Sequence, residues 1–219
     1  MATTKRQDFE LELSTSNELT EIKKELGWQF KTLGLWGAAL WGLELVDTYV
    51  LHQALNAYGI APGKISGLIG VLTAPFLHGS LYHLAANTVP LMLFSWLIML
   101  RDNREWGLVT AMSMLTTGIG TWLIGSAHSV HIGASGLIFG YFGYMLTIGI
   151  FQRKFSSILM SLFIGVTYGS LIFGMIPGFV PFYVSWEGHL MGFLGGVLSA
   201  WMVNRSTKGG KRRLLEGGV

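Results

Sequence analysis

The sequence contains no cysteine, so neither a disulfide nor a thiol nucleophile can form in this chain. Charged residues are also scarce. Asp, Glu, Lys and Arg make up 12% of the chain, whereas soluble domains average about 25%. Hydrophobic residues instead account for 51% of the 219 positions. This composition excludes an ordinary soluble domain and predicts an all-α integral membrane protein.

A small excess of positive charge, +3 in total, does not indicate a nucleic-acid partner. The basic residues flank apolar segments and do not form a single stripe with interleaved aromatic residues. The first thirty residues are polar and mixed in charge, and they lack the basic start, apolar core and cleavage site of a signal peptide. We therefore expect a lipid-embedded protein whose first membrane helix directs its insertion.

Long apolar runs predict six membrane-spanning helices, since about 20 residues are enough to cross the hydrocarbon. The predicted spans cover residues 30–51, 81–100, 106–125, 134–151, 155–176 and 187–203. The stretch 68–77 is too short to cross and is expected to be interfacial or re-entrant. The sequence thus predicts a short cytosolic segment (1–29), a six-helix transmembrane domain (30–204) and a basic cytosolic tail (205–219).

The distribution of Lys and Arg gives the orientation of these spans. Cytoplasmic loops are enriched in both residues. With six spans and the N-terminus inside, every Lys and Arg except Lys64 lies on the cytoplasmic side. We therefore expect both termini in the cytoplasm of a multi-pass protein of the plasma membrane, with Ser135 at the outer end of the fourth span.

Ser135 lies at the junction between a polar loop and the fourth span, in the sequence Gly133-Ala134-Ser135-Gly136. The two glycines allow a sharp turn and a close approach to the hydroxyl. His189, near the start of the sixth span, is at a similar depth, and a histidine is the usual base that activates a serine. This interpretation competes with a simpler one, in which Gly-Ala-Ser-Gly is only a helix-packing face and His189 an interhelical hydrogen-bonding residue.

Glycines recur at helical spacing on both of these spans. They are Gly136, Gly140 and Gly143 on the fourth span, and Gly188, Gly192 and Gly196 on the sixth. Such stripes let two membrane helices approach closely. Their contact would bring Ser135 and His189 within hydrogen-bond reach.

A second polar cluster opens the second span, where His83 and Asn87 are four residues apart and share a helix face. Donors on this face could stabilise an oxyanion, or could only form an interhelical hydrogen bond. His78 precedes the cluster. The sequence has no His-Glu-x-x-His motif and no carboxylate near these histidines, so we expect neither a metal nor another cofactor.

These motifs together resemble those of the rhomboid family of intramembrane serine proteases, over residues 58–204. The resemblance implies a six-helix fold and a Ser-His dyad, with Ser135 as nucleophile and His189 as general base. It also implies an oxyanion hole formed by His83, Asn87 and the Ser135 backbone N–H. Supporting positions by the same resemblance are His78, Gly133, Gly136, Phe139, Gly192 and Gly196. Phe139 stands where the family often has a tyrosine stacked on the catalytic histidine.

Proteolysis inside a membrane requires water and a route for the substrate helix. We expect the outer polar layer to open to water through a rim of six residues: His78, Ser80, His83, Asn87, His128 and His131. Span five and the loop 177–183 are the candidate gate and cap. Backbone groups of a helix are hydrogen-bonded to one another, so single-span membrane proteins are expected to be cut near the outer helix end, where Gly, Ala or Pro weakens the helix.

Three carboxylates do not join this predicted site. Glu187 is two residues from His189 and is expected to point elsewhere, while Glu44 and Asp47 lie on span one and need polar partners of their own. A rhomboid-like protein that binds membrane clients without cutting them remains an alternative. A small transporter is a further alternative, although there is no inverted repeat and the polar groups gather at one depth. No feature of the sequence fixes the oligomeric state.

Overall fold

The computed structural model describes the backbone from Ala2 to Glu216 and the side chains of residues 17–207. In that part of the chain the regular elements are helical. The α-helices are α1 (Ala2–Tyr49), α2 (Gly70–Thr73), α3 (Leu81–Met99), α4 (Asn103–Ile124), α5 (Ser135–Gln152), α6 (Phe155–Tyr168) and α7 (Trp186–Glu216). Further 3-10 helices cover Ala54–Tyr58, Ile65–Ile69, Ala74–Phe76 and Gly169–Met175.

Four of the described helices are long and apolar enough to cross a membrane. They are α3, α4, α5, and α6 together with the 3-10 helix that follows it. The helices α1 and α7 also exceed this length, and their buried polar residues include Glu44 on α1 and Glu187 on α7. The fold is therefore that of an all-helical membrane protein with four clear spans, and the six-span topology stays a prediction.

The bundle is organised around α5, whose side chains are mostly buried. It packs against α7 so closely that a Cβ at Gly196 would lie 1.8 Å from the Gly140 carbonyl oxygen, and one at Gly192 would lie 2.1 Å from that of Gly136. No other residue fits at these positions. The glycine stripes are thus in contact, as their spacing predicted.

A polar network joins the end of the bundle farthest from Ser135. The Arg101 guanidinium pairs with Glu105 at 3.2 Å and donates to Ser157 at 3.1 Å and Gln152 at 3.0 Å. Tyr144 donates to the same Glu105 carboxylate. The network fixes the start of α6 to α5 and to the α3–α4 junction.

The two carboxylates of the predicted first span hold the loop between α1 and α3. Asp47 Oδ1 accepts from the Leu55 backbone N–H at 3.0 Å, and Glu44 Oε1 accepts from Gln53 Nε2 at 3.4 Å. Farther along, Ile60 and His131 exchange two backbone hydrogen bonds of 2.9 Å, which tie this loop to the one before α5. The loop is thereby fixed beside Ser135.

Helices run across both predicted boundaries of the transmembrane domain, and the division into cytosolic and membrane parts stays a prediction. The α1 helix runs without a break across the expected boundary at residue 29, and α7 continues past residue 204. The segment 68–77 forms a run of short helices, and its interfacial or re-entrant position in the membrane stays a prediction. The side chains of Lys5, Arg6, Lys208, Lys211, Arg212 and Arg213, which the orientation argument used, lie outside the described residues.

Candidate active site

Ser135 is the first residue of α5, and the loop before it is held in a turn that requires glycine. Gly133 has φ +115°, a conformation that side-chain-bearing residues rarely adopt. Its N–H donates to the Ala74 carbonyl at 2.8 Å. The serine hydroxyl is therefore presented at a helix N-terminus from a backbone that is fixed on its upstream side.

His189 lies in the first turn of α7 and faces this hydroxyl across the α5–α7 contact. Its Nε2 is 3.0 Å from Ser135 Oγ, and its Nδ1 is 2.9 Å from the Gly174 carbonyl oxygen. A carbonyl can only accept, so the ring proton is on Nδ1. Nε2 is then the acceptor, and the Ser135 hydroxyl donates to it.

The imidazole is also held by its flat face. The Phe139 ring, one turn along α5 from Ser135, stacks on it with centroids 4.0 Å apart and planes within 10°. Phenylalanine therefore provides the stacking contact at this position without a hydroxyl. Only small movements of the ring are compatible with both hydrogen bonds and the stack.

The donors predicted on α3 lie beside Gly133, two residues before Ser135. A Cβ at Gly133 would lie 2.9 Å from His83 Nε2 and 3.6 Å from Asn87 Nδ2, so only a glycine allows this approach. Asn87 Nδ2 is buried and has no hydrogen-bond partner. A buried amide donor without an acceptor is costly.

His78 is buried beside the serine turn and does not lie on the predicted rim. The expectation that it lines a water-filled opening is wrong, because its exposure is 0%. Its Nε2 accepts from the Ala134 backbone N–H at 3.3 Å, directly before Ser135. Burial, reinforced by nearby His83 and opposed by the Phe76 carbonyl, lowers the pKa of His78 to about 4. It is a neutral support for the serine turn.

The remaining residues of the predicted rim are in different settings. Ser80 caps α3 by accepting from the His83 N–H at 3.2 Å. His128 is exposed at φ +67°, in the loop before α5. His131 is partly buried, and burial lowers its pKa, with Glu187 acting in the opposite direction.

Sequence reasoning missed a second serine–histidine pair in that loop. Ser129 Oγ is 2.7 Å from His131 Nε2. The Ser129 hydroxyl also lies 2.5 Å from the Ser126 carbonyl, to which it donates, so it closes a loop turn. The Ser-x-His spacing was the available signal, and it is too common to single out.

Glu187 does not complete a triad, in agreement with its spacing from His189. It is buried, and its Oε2 accepts from the Ser185 hydroxyl at 3.3 Å. The described residues also contain no group of three or more His, Cys, Asp or Glu arranged to hold a metal ion. The geometry around Ser135 is therefore that of a serine–histidine pair.

The candidate gate, span five, and the candidate cap, the loop 177–183, lie at the periphery of the helix bundle. Of the four span-length helices, α6 with its 3-10 extension has the smallest buried share. Its ring contact to α3 joins Tyr168 to Phe94, with centroids 4.9 Å apart. In the loop between residues 177 and 183, Phe182 is 99% exposed.

The fold and site define a class: a helical integral membrane protein with a hydrogen-bonded Ser-His pair between two closely packed helices. The family model described as Rhomboid domain matches residues 66–206, a range that contains both members of the pair. The chain belongs to the rhomboid family, whose members are generally intramembrane serine proteases.

Its relatives include bacterial proteins of similar length. An uncharacterized protein of Mycobacterium tuberculosis is 39% identical over 173 residues, which cover 76% of this chain and 72% of that protein. One from Mycobacterium leprae is 37% identical over 195 residues, covering 84% and 76%. A Bacillus subtilis protein, YdcA, whose name assigns it provisionally to the rhomboid proteases, is 31% identical over 181 residues, covering 80% and 81%. No solved structure matches the chain.

Proposed function

We propose that this protein is an intramembrane serine endopeptidase that cuts the transmembrane helices of other membrane proteins. The observation that carries the proposal is the 3.0 Å contact between Ser135 Oγ and His189 Nε2, with the histidine ring fixed on its other nitrogen and on its face. A serine next to an oriented neutral imidazole is the arrangement that acyl transfer requires.

In the proposed mechanism His189 removes the hydroxyl proton as Ser135 Oγ attacks the substrate carbonyl carbon. The carbonyl oxygen becomes an oxyanion, for which Asn87, His83 and the Ser135 N–H are the proposed donors. Support comes from the unpartnered amide of Asn87. When the C–N bond breaks, protonated His189 gives its proton to the leaving amine. Water then hydrolyses the ester on Ser135, with His189 again acting as base.

The proposed substrates are single-span proteins whose helix is weakened near the outer membrane surface. A small cavity beside Ser135, lined by residues such as Val71, Ala74 and Thr117, suits a small substrate side chain. We also propose that both termini are cytoplasmic and that the site faces the outer side of the plasma membrane. The Lys and Arg distribution supports this orientation.

Cleavage of a model single-span substrate in proteoliposomes tests the proposal. The wild-type protein should cut it, with no effect of a chelator, while Ser135→Ala and His189→Ala should be inactive. Both variants must elute as folded protein and keep the thermal transition of the wild type. A folded wild-type protein that binds the substrate helix but never cuts it would instead favour the catalytically silent alternative.

A further inference from the structure

The Nδ1 nitrogen of His189 has a backbone partner where serine proteases of other folds use a carboxylate. Its hydrogen bond of 2.9 Å goes to the Gly174 carbonyl, in the 3-10 helix Gly169–Met175. The nearby Glu187 carboxylate is bonded to Ser185 instead. The group that orients the candidate base therefore belongs to the extension of α6.

We propose that the Gly174 carbonyl is the positioning group that fixes the tautomer of His189, and that it couples activation of Ser135 to the position of α6. This inference rests on the proposed function of the Ser-His dyad. With the carbonyl in place, Nδ1 carries the proton and Nε2 can accept from Ser135. Without it, the ring can take the other tautomer, in which Nε2 carries the proton and cannot act as the base.

The absence of a side chain at residue 174 permits this contact. A Cβ there would lie 2.6 Å from Phe139 Cζ and 3.6 Å from His189 Nδ1. It would collide with the aromatic ring that stacks on the imidazole. Glycine thus allows the backbone to rest directly against the stacked pair.

The Gly174 carbonyl belongs to the extension of α6, and the two ends of this helix are held by different kinds of contact. The first half of α6 is fixed by polar contacts: Ser157 with Arg101 at 3.1 Å, and Ser161 with the Met145 carbonyl at 2.8 Å. Beyond them the contacts are apolar: Ile164 and Met175 are buried, and the Tyr168 ring contacts Phe94. Among the described residues, the end that leads to Gly174 is therefore held by packing and by the Gly174–His189 contact, without side-chain hydrogen bonds like those of the first half.

It follows that an outward swing of this end would withdraw the carbonyl from His189. The contact between α3 and α6 forms the wall of the site on this side. This wall cannot be open while Ser135 is activated. A substrate helix that passes this wall must let α6 return before Ser135 can attack. The structure, with both hydrogen bonds formed, corresponds to the closed and active arrangement.

The direct test weakens the carbonyl without changing a side chain. Replacing Met175 by its α-hydroxy acid analogue converts the Gly174–Met175 amide into an ester, whose carbonyl is a poorer acceptor. We expect the rate of Ser135 labelling by a small fluorophosphonate, and kcat for a helical substrate, to fall about tenfold with little change in KM. The ¹⁵N spectrum of the His189 ring should show an increase of the Nε2–H tautomer.

A matched control lies in the same 3-10 helix. The ester between Gly169 and Ser170 removes a backbone N–H in the same way, five residues from the contact. A simpler pair is Gly174→Ala, whose Cβ meets Phe139, and Gly169→Ala, whose Cβ meets nothing within 4 Å. The Gly174–Met175 ester and Gly174→Ala should slow labelling of Ser135. The Gly169–Ser170 ester and Gly169→Ala should not.

An ester at Gly174 that leaves the labelling rate, kcat and the tautomer spectrum unchanged would overturn the inference while the dyad stands. Failure of the dyad itself has a different signature, since the wild-type protein would then neither label at Ser135 nor cleave. The tautomer spectrum still tests the Gly174 contact in that case, because it does not depend on activity.

Discussion

The buried amide of Asn87 is a donor that the folded protein does not use. If Asn87 donates a hydrogen bond to the oxyanion, removing its side chain should destabilise the transition state far more than the folded protein. We expect Asn87→Ala to lower kcat about a hundredfold, the usual effect of losing one such donor, with an apparent Tm close to that of the wild type. Steady-state cleavage and thermal unfolding in detergent measure the two quantities. A large drop in Tm with an unchanged kcat per folded molecule would assign Asn87 to packing.

The charge state of His78 makes stability depend on pH. Its pKa is about 4 in the folded protein and 6.5 in the unfolded chain, so the unfolded chain binds more protons between these values. Stability should therefore fall as pH decreases from about 6.5 to about 4. His78→Gln keeps an acceptor for the Ala134 N–H but does not titrate. Its apparent Tm should fall less steeply over this range, and equal slopes for the two proteins would contradict the assignment.

At the residue scale the sequence predicted side chains better than backbone contacts. The proximity of Ser135 and His189 followed from two glycine stripes, because their spacing can be read directly. The Gly174 carbonyl could not be predicted, since a backbone acceptor leaves no sequence signature. The burial of His78 was missed for a related reason: it depends on how the loop before α3 folds over the serine turn.

The contact between α5 and α7 determines the geometry of the pair, and it depends on glycine. Gly196→Ala would put a Cβ 1.8 Å from the Gly140 carbonyl oxygen and force the helices apart. We expect a loss of about 1–3 kcal/mol in stability and a marked loss of activity. The control is Gly42→Ala on α1, where a Cβ meets nothing within 4 Å. Equal effects of the two substitutions on Tm and cleavage would contradict the account of this contact.

The wall between α3 and α6 can be tested with a cross-link, because the protein has no native cysteine. Phe94→Cys and Tyr168→Cys can be joined by a short bifunctional thiol reagent. The linked protein should lose cleavage of helical substrates but keep labelling of Ser135 by a small fluorophosphonate. Each single-cysteine variant treated with the reagent serves as a control. Undiminished cleavage by the linked protein would show that substrates reach Ser135 by another route.

Helix positions in the middle of the chain were predicted well. Four predicted spans coincide closely with α3, α4, α5 and α6 with its extension, because their apolar runs are bounded by polar loops. The boundary at residue 29 does not break α1, since polar residues with good helix propensity continue the apolar run. The change of composition at residue 29 therefore did not mark the end of a helix.

At the scale of the whole molecule, the orientation in the membrane is the open prediction. Single cysteines introduced as Asn17→Cys, Lys64→Cys and Thr207→Cys can be labelled in intact cells with a membrane-impermeant maleimide. Lys64→Cys should react directly, whereas the other two should react only after permeabilisation. Labelling of either terminal position in intact cells would contradict the cytoplasmic placement of the termini.

Membership of the rhomboid family was predicted from three ordered motifs and is confirmed by the family match. The sequence could identify the family because its motifs are specific in type, order and spacing. The resemblance pointed to Ser135, but spacing alone does not give the hydrogen bonds between distant segments on which activation depends. The second pair, Ser129 with His131, shows that proximity alone is not a sufficient criterion.

The most direct test of the central claim is to map where a fluorophosphonate attaches. We predict that mass spectrometry of the labelled wild-type protein finds the adduct on Ser135, that His189→Ala greatly slows its formation, and that His131→Ala does not. An adduct on Ser129, or equal labelling of Ser135 in the wild type and His189→Ala, would contradict the assignment of the serine–histidine dyad.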